Sequence, residues 1–306
     1  MSIQTINPAT ERVLNIYEVV NDDQVRHLVD NAHEHFMTWK KTPFPERSKL
    51  LLIVAQNLRS NQERYANLMA EEMGKPIRDG RAEVEKCAWV CEHYAKQAET
   101  YLASRTMQTD MKKTMVCYQP LGVVLGIMPW NFPFWQVFRF AAPTIMAGNV
   151  VILKHASICA GVGNAIAELF IKSGFPSGVF QHILMNKETV ASVIANEKVV
   201  GVTLTGSDET GRIVASAAGA HLKKSMLELG GSDPYIVLAD ADLALAARCI
   251  VASRLNNTGQ VCIAAKRVIV VKDVLDELVQ YLINEIKQYK MGDPLDLATK
   301  MGPMAR

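Results

Sequence analysis

Between residues 121 and 218, short apolar runs alternate with amphipathic stretches, and this alternation restricts the fold more than any other feature of the chain. The apolar runs cover 123–128, 150–153, 179–184 and 199–204, and the amphipathic stretches cover 137–146, 161–173, 189–195 and 208–218. Strands that are continuously apolar, each followed by a helix, predict a parallel sheet buried on both faces by helices, a doubly wound α/β fold. Such sheets bind ligands beyond the carboxyl ends of their strands, so the residues after each apolar run are the candidates for a site.

The flanking regions read differently. Residues 23–103 have helical periodicity: Val25, Leu28, Val29, Ala32 and Phe36 recur on one face, a second helix starts near Pro45, and Gly74-Lys75-Pro76 breaks a third. Residues 106–119 alternate between polar and apolar, with Thr114, Val116 and Tyr118 on one side, which predicts an exposed β-ribbon of the kind that serves oligomer contacts. A net charge of +2 with dispersed lysines and arginines argues against nucleic acid or an acidic membrane surface and favours a small-molecule partner. The polar start MSIQTINPATERVL has no apolar leader, and no apolar run approaches the ~18 residues of a membrane span, so the expected location is cytoplasmic. Six cysteines without regular spacing do not read as a disulfide framework.

Unusual residues lie at the expected strand ends. After the first comes Pro129-Trp130-Asn131-Phe132-Pro133, where a rigid turn holds a carboxamide able to donate to an oxyanion; an ordinary turn asparagine is the other reading. After the second comes Lys154-His155-Ala156-Ser157, which puts a cation at the sheet edge. After a later one, Thr205-Gly206-Ser207 with Gly211 joins strand to helix, where backbone amides can face a pyrophosphate. These segments at successive strand ends favour a dinucleotide. Glu228 precedes Gly230-Gly231, and a carboxylate half buried there would act as a base near neutrality; capping or ion pairing is the alternative. Asn256-Asn257-Thr258-Gly259-Gln260-Val261-Cys262 ends a helical pattern begun at Leu243 and presents a cysteine in a polar loop. Cys117 and Cys249, in apolar runs, read instead as buried packing residues. Cys87 and Cys91, near His93, have poor zinc spacing and read as packing residues, so no metal site is expected.

In order, MPWNFP, LTGS, LELGG and NTGQVC resemble the signature segments of the aldehyde dehydrogenase superfamily, and the 34-residue interval from Glu228 to Cys262 agrees with it. The resemblance runs from Asn7-Pro8-Ala9-Thr10 to Met291-Gly292-Asp293-Pro294. It implies an aldehyde-dehydrogenase-like α/β fold. A Rossmann-type parallel sheet with flanking helices would occupy 1–104 and 121–229, a β-ribbon oligomerisation arm 105–120, and the start of a second α/β catalytic domain 230–306.

The resemblance also implies roles. Cys262 is the nucleophile, Asn131 with the Cys262 amide holds the oxyanion, and Glu228 activates the water that hydrolyses the thioester. Trp130, Lys154, Ser157, Gly206, Ser207, Gly211 and Leu229 line the place of NAD or NADP. Strictly NAD-dependent relatives carry a glutamate where this chain has Ser157, so use of both nucleotides is expected. Arg139, with Trp135 one turn earlier, corresponds to the carboxylate grip of bacterial NAD(P)-dependent succinate-semialdehyde dehydrogenases, which the chain resembles most. Other small aldehydes remain as substrates, and a surface ion pair remains as a reading of Arg139, since a second arginine of some such enzymes is Asn256 here. A homodimer or homotetramer is implied. Family members continue past Arg306, so a C-terminally truncated chain is expected, with a fragment that at most binds dinucleotide as the alternative to an active enzyme.

Overall fold

The computed structural model describes residues 2–306. An antiparallel hairpin, β1 (Ser2–Ile6) and β2 (Val13–Glu18), opens the chain. Four helices follow: α1 (Asp22–Trp39), α2 (Phe44–Ser60), α3 (Gln62–Met73) and α4 (Ile77–Tyr101). Asn21 and Gln24 form a reciprocal capping box at the start of α1, which buries Val25, Val29, Ala32 and Phe36 as its spacing predicts. Gly74 ends α3 with φ 73°, a left-handed conformation that glycine adopts without a Cβ penalty, and a Cβ there would also meet Pro303 at 2.7 Å. The exposed ribbon is present as β3 (Arg105–Met107) paired with β4 (Thr114–Val116).

The alternating region folds as β5 (Val123–Met128), α5 (Trp135–Met146), β6 (Val150–His155), α6 (Ala160–Lys172), β7 (Phe180–His182), α7 (Lys187–Ala195), β8 (Val199–Thr205), α8 (Asp208–Ala220) and β9 (Lys224–Glu228). All pairings are parallel and the strand order is β7-β6-β5-β8-β9. The chain builds outward from β5 on one side, then crosses to β8 on the other, so the ends of β5 and β8 flank the switch point where such sheets take ligands. Both faces are covered: Val150 to Leu153 of β6 are fully buried, in one apolar core with Phe138, Phe170 and the inner faces of α1, α2 and α4.

Beyond the sheet, β10 (Pro234–Val237) and β11 (Arg267–Val270) pair in parallel, and α9 (Leu243–Leu255) packs on α10 (Leu275–Ile286). Val237, Ala247, Ile250, Ala265 and Leu278 make a second, separate core.

Several expectations are corrected. β6 runs to His155, so Lys154 is inside the strand rather than after it. Ser2–Ile6, Val13–Glu18 and Lys224–Glu228, which have no clear two-residue alternation, are strands because neighbours supply their hydrogen bonds. Cys117 and Cys249 are exposed, not buried: Cys117 follows an uncovered ribbon, and Cys249 is on a helix whose buried face is made by Ala247, Ile250 and Val251. The buried thiols are Cys87, Cys91 and Cys159. Among the described residues no three His, Cys, Asp or Glu side chains are grouped to hold a metal ion, and no helix is long and apolar enough to cross a membrane.

Candidate active site

The turn after β5 is held from below by a buried ion pair. Lys75 and Glu83, both almost without solvent exposure, contact each other through Nζ and Oε2. The second Glu83 oxygen, Oε1, accepts from the amides of Phe134 and Trp135, each at 2.9 Å, so the carboxylate caps the start of α5. Lys75 Nζ also donates to the Asn131 carbonyl at 2.9 Å and lies 3.9 Å from the centre of the Phe132 ring. Every polar group of the pair therefore acts on residues 131–135 of the turn. His155 supports the same turn from β6, its Nε2 2.9 Å from the Pro133 carbonyl. Burial pulls the His155 imidazole down to about 4, so it is neutral at pH 7.

Asn131 is aimed at the cysteine loop. Its Nδ2 donates to the Gln260 carbonyl at 2.8 Å, two residues before Cys262, while Asn257 Nδ2 donates to the Asn131 carbonyl, also at 2.8 Å. One N–H of the Asn131 amide is thus used for positioning and a second is left, and its buried Oδ1 has no hydrogen-bond partner. The loop turns tightly: Asn257, Thr258 and Gly259 have φ of 49°, 58° and 77° in succession. For Thr258, β-branched, this conformation costs about 1–3 kcal/mol, which the surroundings must over-determine. They do so through Thr258 Oγ1 to the Gly302 carbonyl at 3.2 Å, Gln260 Nε2 to the Asn257 carbonyl at 3.0 Å, and the Ala305 amide to Gln260 Oε1 at 3.0 Å. Cys262, partly exposed, follows directly.

Glu228 reaches the same region from the end of β9. Lys266 Nζ bridges the two segments, donating to the Cys262 carbonyl at 2.7 Å and contacting the Gly231 carbonyl. Arg267 clamps the Ser232 carbonyl through Nε at 2.9 Å and Nη2 at 2.6 Å. The Glu228 side chain is 52% exposed rather than half buried among apolar groups, because β9 is the edge strand with a neighbour on one side only. Its Oε1 is 3.5 Å from Nη1 of Arg139 on α5. Trp135, one turn before Arg139, has the Lys86 ammonium 3.8 Å from its ring centre.

At the junction of β8 and α8, Ser207 caps α8: its Oγ accepts from the Thr210 amide at 3.3 Å, and the amides of Asp208 and Glu209 have no partner among the described residues. The Gly206 amide donates to the Glu228 carbonyl at 3.0 Å, and the Gly230 amide to Asp208 Oδ1 at 3.2 Å, which stitches the two strand ends together. A Cβ on Gly206 would meet Leu204 at 3.7 Å, an ordinary contact, so this glycine leaves room for a Cβ. Gly211 does not: a Cβ there would lie 2.6 Å from Leu229, so Gly211 makes room for Leu229 to pack on α8. Lys154 is partly buried with no ion pair or hydrogen bond among the described residues, and burial lowers its pKa. Ser157, exposed, begins the short 3-10 turn Ser157–Cys159 just beyond it. An unpaired cation near the end of β6 and free amides at the start of α8 suit the ribose and phosphate oxygens of a dinucleotide. Trp130, partly buried, lies between the two sides, its carbonyl 3.9 Å from Cys159 Sγ.

Lys75, Glu83, Asn257, Gln260, Lys266 and Arg267 escaped the sequence reading. Their work is done on backbone carbonyls and amides up to 126 residues away, which leaves no local pattern.

The aldehyde dehydrogenase family model matches residues 1–306. A probable NADP-dependent succinate-semialdehyde dehydrogenase of Synechocystis is 47% identical over 305 residues, covering 100% of this chain and 67% of the relative. The NAD(P)-dependent succinate semialdehyde dehydrogenase of Escherichia coli is 41% identical, covering 99% and 65%. The crystal structure of succinic semialdehyde dehydrogenase from Streptococcus pyogenes with NADP superposes with a TM-score of 0.97 at 37% identity, covering 99% of this chain and 67% of that one. The chain spans about two thirds of the length of these relatives. With the family model matched over residues 1–306 and relatives 41–47% identical along the chain, this chain belongs to the aldehyde dehydrogenase family.

Proposed function

We propose that the chain oxidises succinate semialdehyde to succinate with reduction of NAD or NADP. Cys262 adds to the aldehyde carbon as its thiolate, and the second Asn131 N–H with the Cys262 amide receives the oxyanion of the thiohemiacetal. The nicotinamide, when bound, supplies the acceptor for hydride. Glu228 takes a proton from the water that hydrolyses the resulting thioester, a role supported by its exposed place at the end of β9, three residues before Gly231, which Lys266 links to the Cys262 carbonyl. Lys154 and Ser157 hold the adenosine ribose, and with no carboxylate at position 157 they accept a 2′-phosphate as well. Gly206, Ser207 and the amides that start α8 face the pyrophosphate. Trp130 and Leu229 border the nicotinamide side, and the exposed ribbon of β3 and β4 serves contact between copies.

The observation that supports the substrate assignment is the Arg139 guanidinium, 3.5 Å from the Glu228 carboxylate and 37% exposed, a cation open to the carboxylate of a substrate. Trp135 frames it from the preceding turn. Reduction of NAD and NADP at 340 nm, with succinate semialdehyde and with butanal as the uncharged control, tests this reading. Preference for the semialdehyde that disappears in Arg139→Ala supports it, and equal kcat/KM for the two aldehydes rejects it.

A further inference from the structure

The residue proposed to grip the substrate and the residue proposed as the base are each other's only charged partner among the described residues. Their separation, 3.5 Å between Nη1 and Oε1, exceeds the 2.7–2.9 Å of a charge-assisted hydrogen bond, and their side chains are 37% and 52% exposed. A pair this long and this wet is weak. A guanidinium offers a planar fork of donors, and a mobile carboxylate able to approach it bidentately competes well against a loosely held one.

We propose that Arg139 sequesters Glu228 in the resting site and that the distal carboxylate of the substrate displaces it, so that binding of a carboxylated aldehyde releases the base for thioester hydrolysis. This rests on the function proposed above and makes Arg139 a specificity residue in the second half-reaction as well as in binding. In that half-reaction the water oxygen bonds to the thioester carbon and its proton passes to the freed Glu228 carboxylate. The C–S bond breaks and Cys262 leaves as thiolate; no electrons are transferred. An uncharged aldehyde leaves Glu228 on Arg139, where the carboxylate is turned toward the guanidinium and not toward the water.

Two measurements on the full chain test the exchange. In rapid mixing with NADP, the first NADPH burst reports hydride transfer and the steady rate that follows reports hydrolysis. With butanal, Arg139→Gln is expected to raise the ratio of the steady rate to the burst rate by about five-fold, the effect of losing a competitor worth up to ~1 kcal/mol. Loss of a purely structural contact, or of a substrate anchor alone, does not raise that ratio for a substrate that never touches it. By calorimetry, Glu228→Gln is expected to bind succinate about five-fold more tightly than the parent chain, since no internal carboxylate then competes. An unchanged or lower ratio in Arg139→Gln overturns the exchange and leaves the function standing, as does unchanged or weaker succinate binding by Glu228→Gln. Absence of any burst from the parent chain with either aldehyde overturns the function and the exchange with it.

Discussion

Glu83→Gln places an uncompensated ammonium in the interior while changing almost no volume. Lys75 is 1% exposed, and its ionic partner is Glu83 alone; what remains after the substitution is the Asn131 carbonyl at 2.9 Å and the face of Phe132. Breaking one half of such a pair costs about 3–5 kcal/mol, because the surviving charge has lost its counter-ion without regaining water. The glutamine oxygen still accepts from the Phe134 or Trp135 amide, so little of the loss comes from the helix cap. Lys75→Met leaves the converse, a buried carboxylate with two amide donors, and costs a similar amount. The double substitution removes both charges, and its cost falls well below the sum of the singles, with a coupling of at least ~2 kcal/mol. Urea unfolding followed by tryptophan emission measures all four proteins. A double variant as unstable as the two singles combined refutes the argument, since the two charges would then be independent. The turn that the pair supports carries Asn131, so the single variants also lose burst rate in proportion to misplacement of that amide.

Asn131→Ala removes the proposed oxyanion donor and is expected to slow the burst by ~10²–10³-fold with nucleotide affinity retained; a slowing below ten-fold counts against its role. His155, pulled down to about 4 by burial, takes up its proton in the unfolded chain at ~6.5, so it contributes stability that is lost as pH falls from 6.5 toward 4. Glu72, raised to about 7 mainly by burial and only partly offset by hydrogen bonds from the Val162 and Gly161 amides, works oppositely, its protonated form favouring the fold below 7. Between pH 5 and 6.5, His155→Gln therefore flattens the rise of stability with pH by up to ~1.4 kcal/mol per unit and Glu72→Gln steepens it, as urea midpoints will show. Gly259→Ala puts a Cβ at φ 77° and 2.5 Å from Arg254 Nη1, which should destabilise the chain by more than ~1 kcal/mol and alter the rate of Cys262 alkylation.

Sequence alone was enough for the parallel sheet, because strands buried on both faces must be continuously apolar: the run 123–128 became β5 without change, and α5 and α8 differ from expectation only by two residues at one end. It was likewise enough to single out a carboxamide between prolines and a cysteine in a polar loop as candidates, since side-chain type is written locally. Tertiary structure alone decided how those segments meet. Asn131 reaches the cysteine loop through a bond spanning 129 residues, and Lys266 joins two loops through their carbonyls, a backbone contact that any side-chain pattern is silent about. It also decided exposure: Cys117 and Cys249 lie in apolar runs yet face outward, and Glu228, placed on an edge strand, finds Arg139 instead of an apolar wall. Burial is a property of what packs on a residue from elsewhere in the chain, and local sequence records only the residue itself.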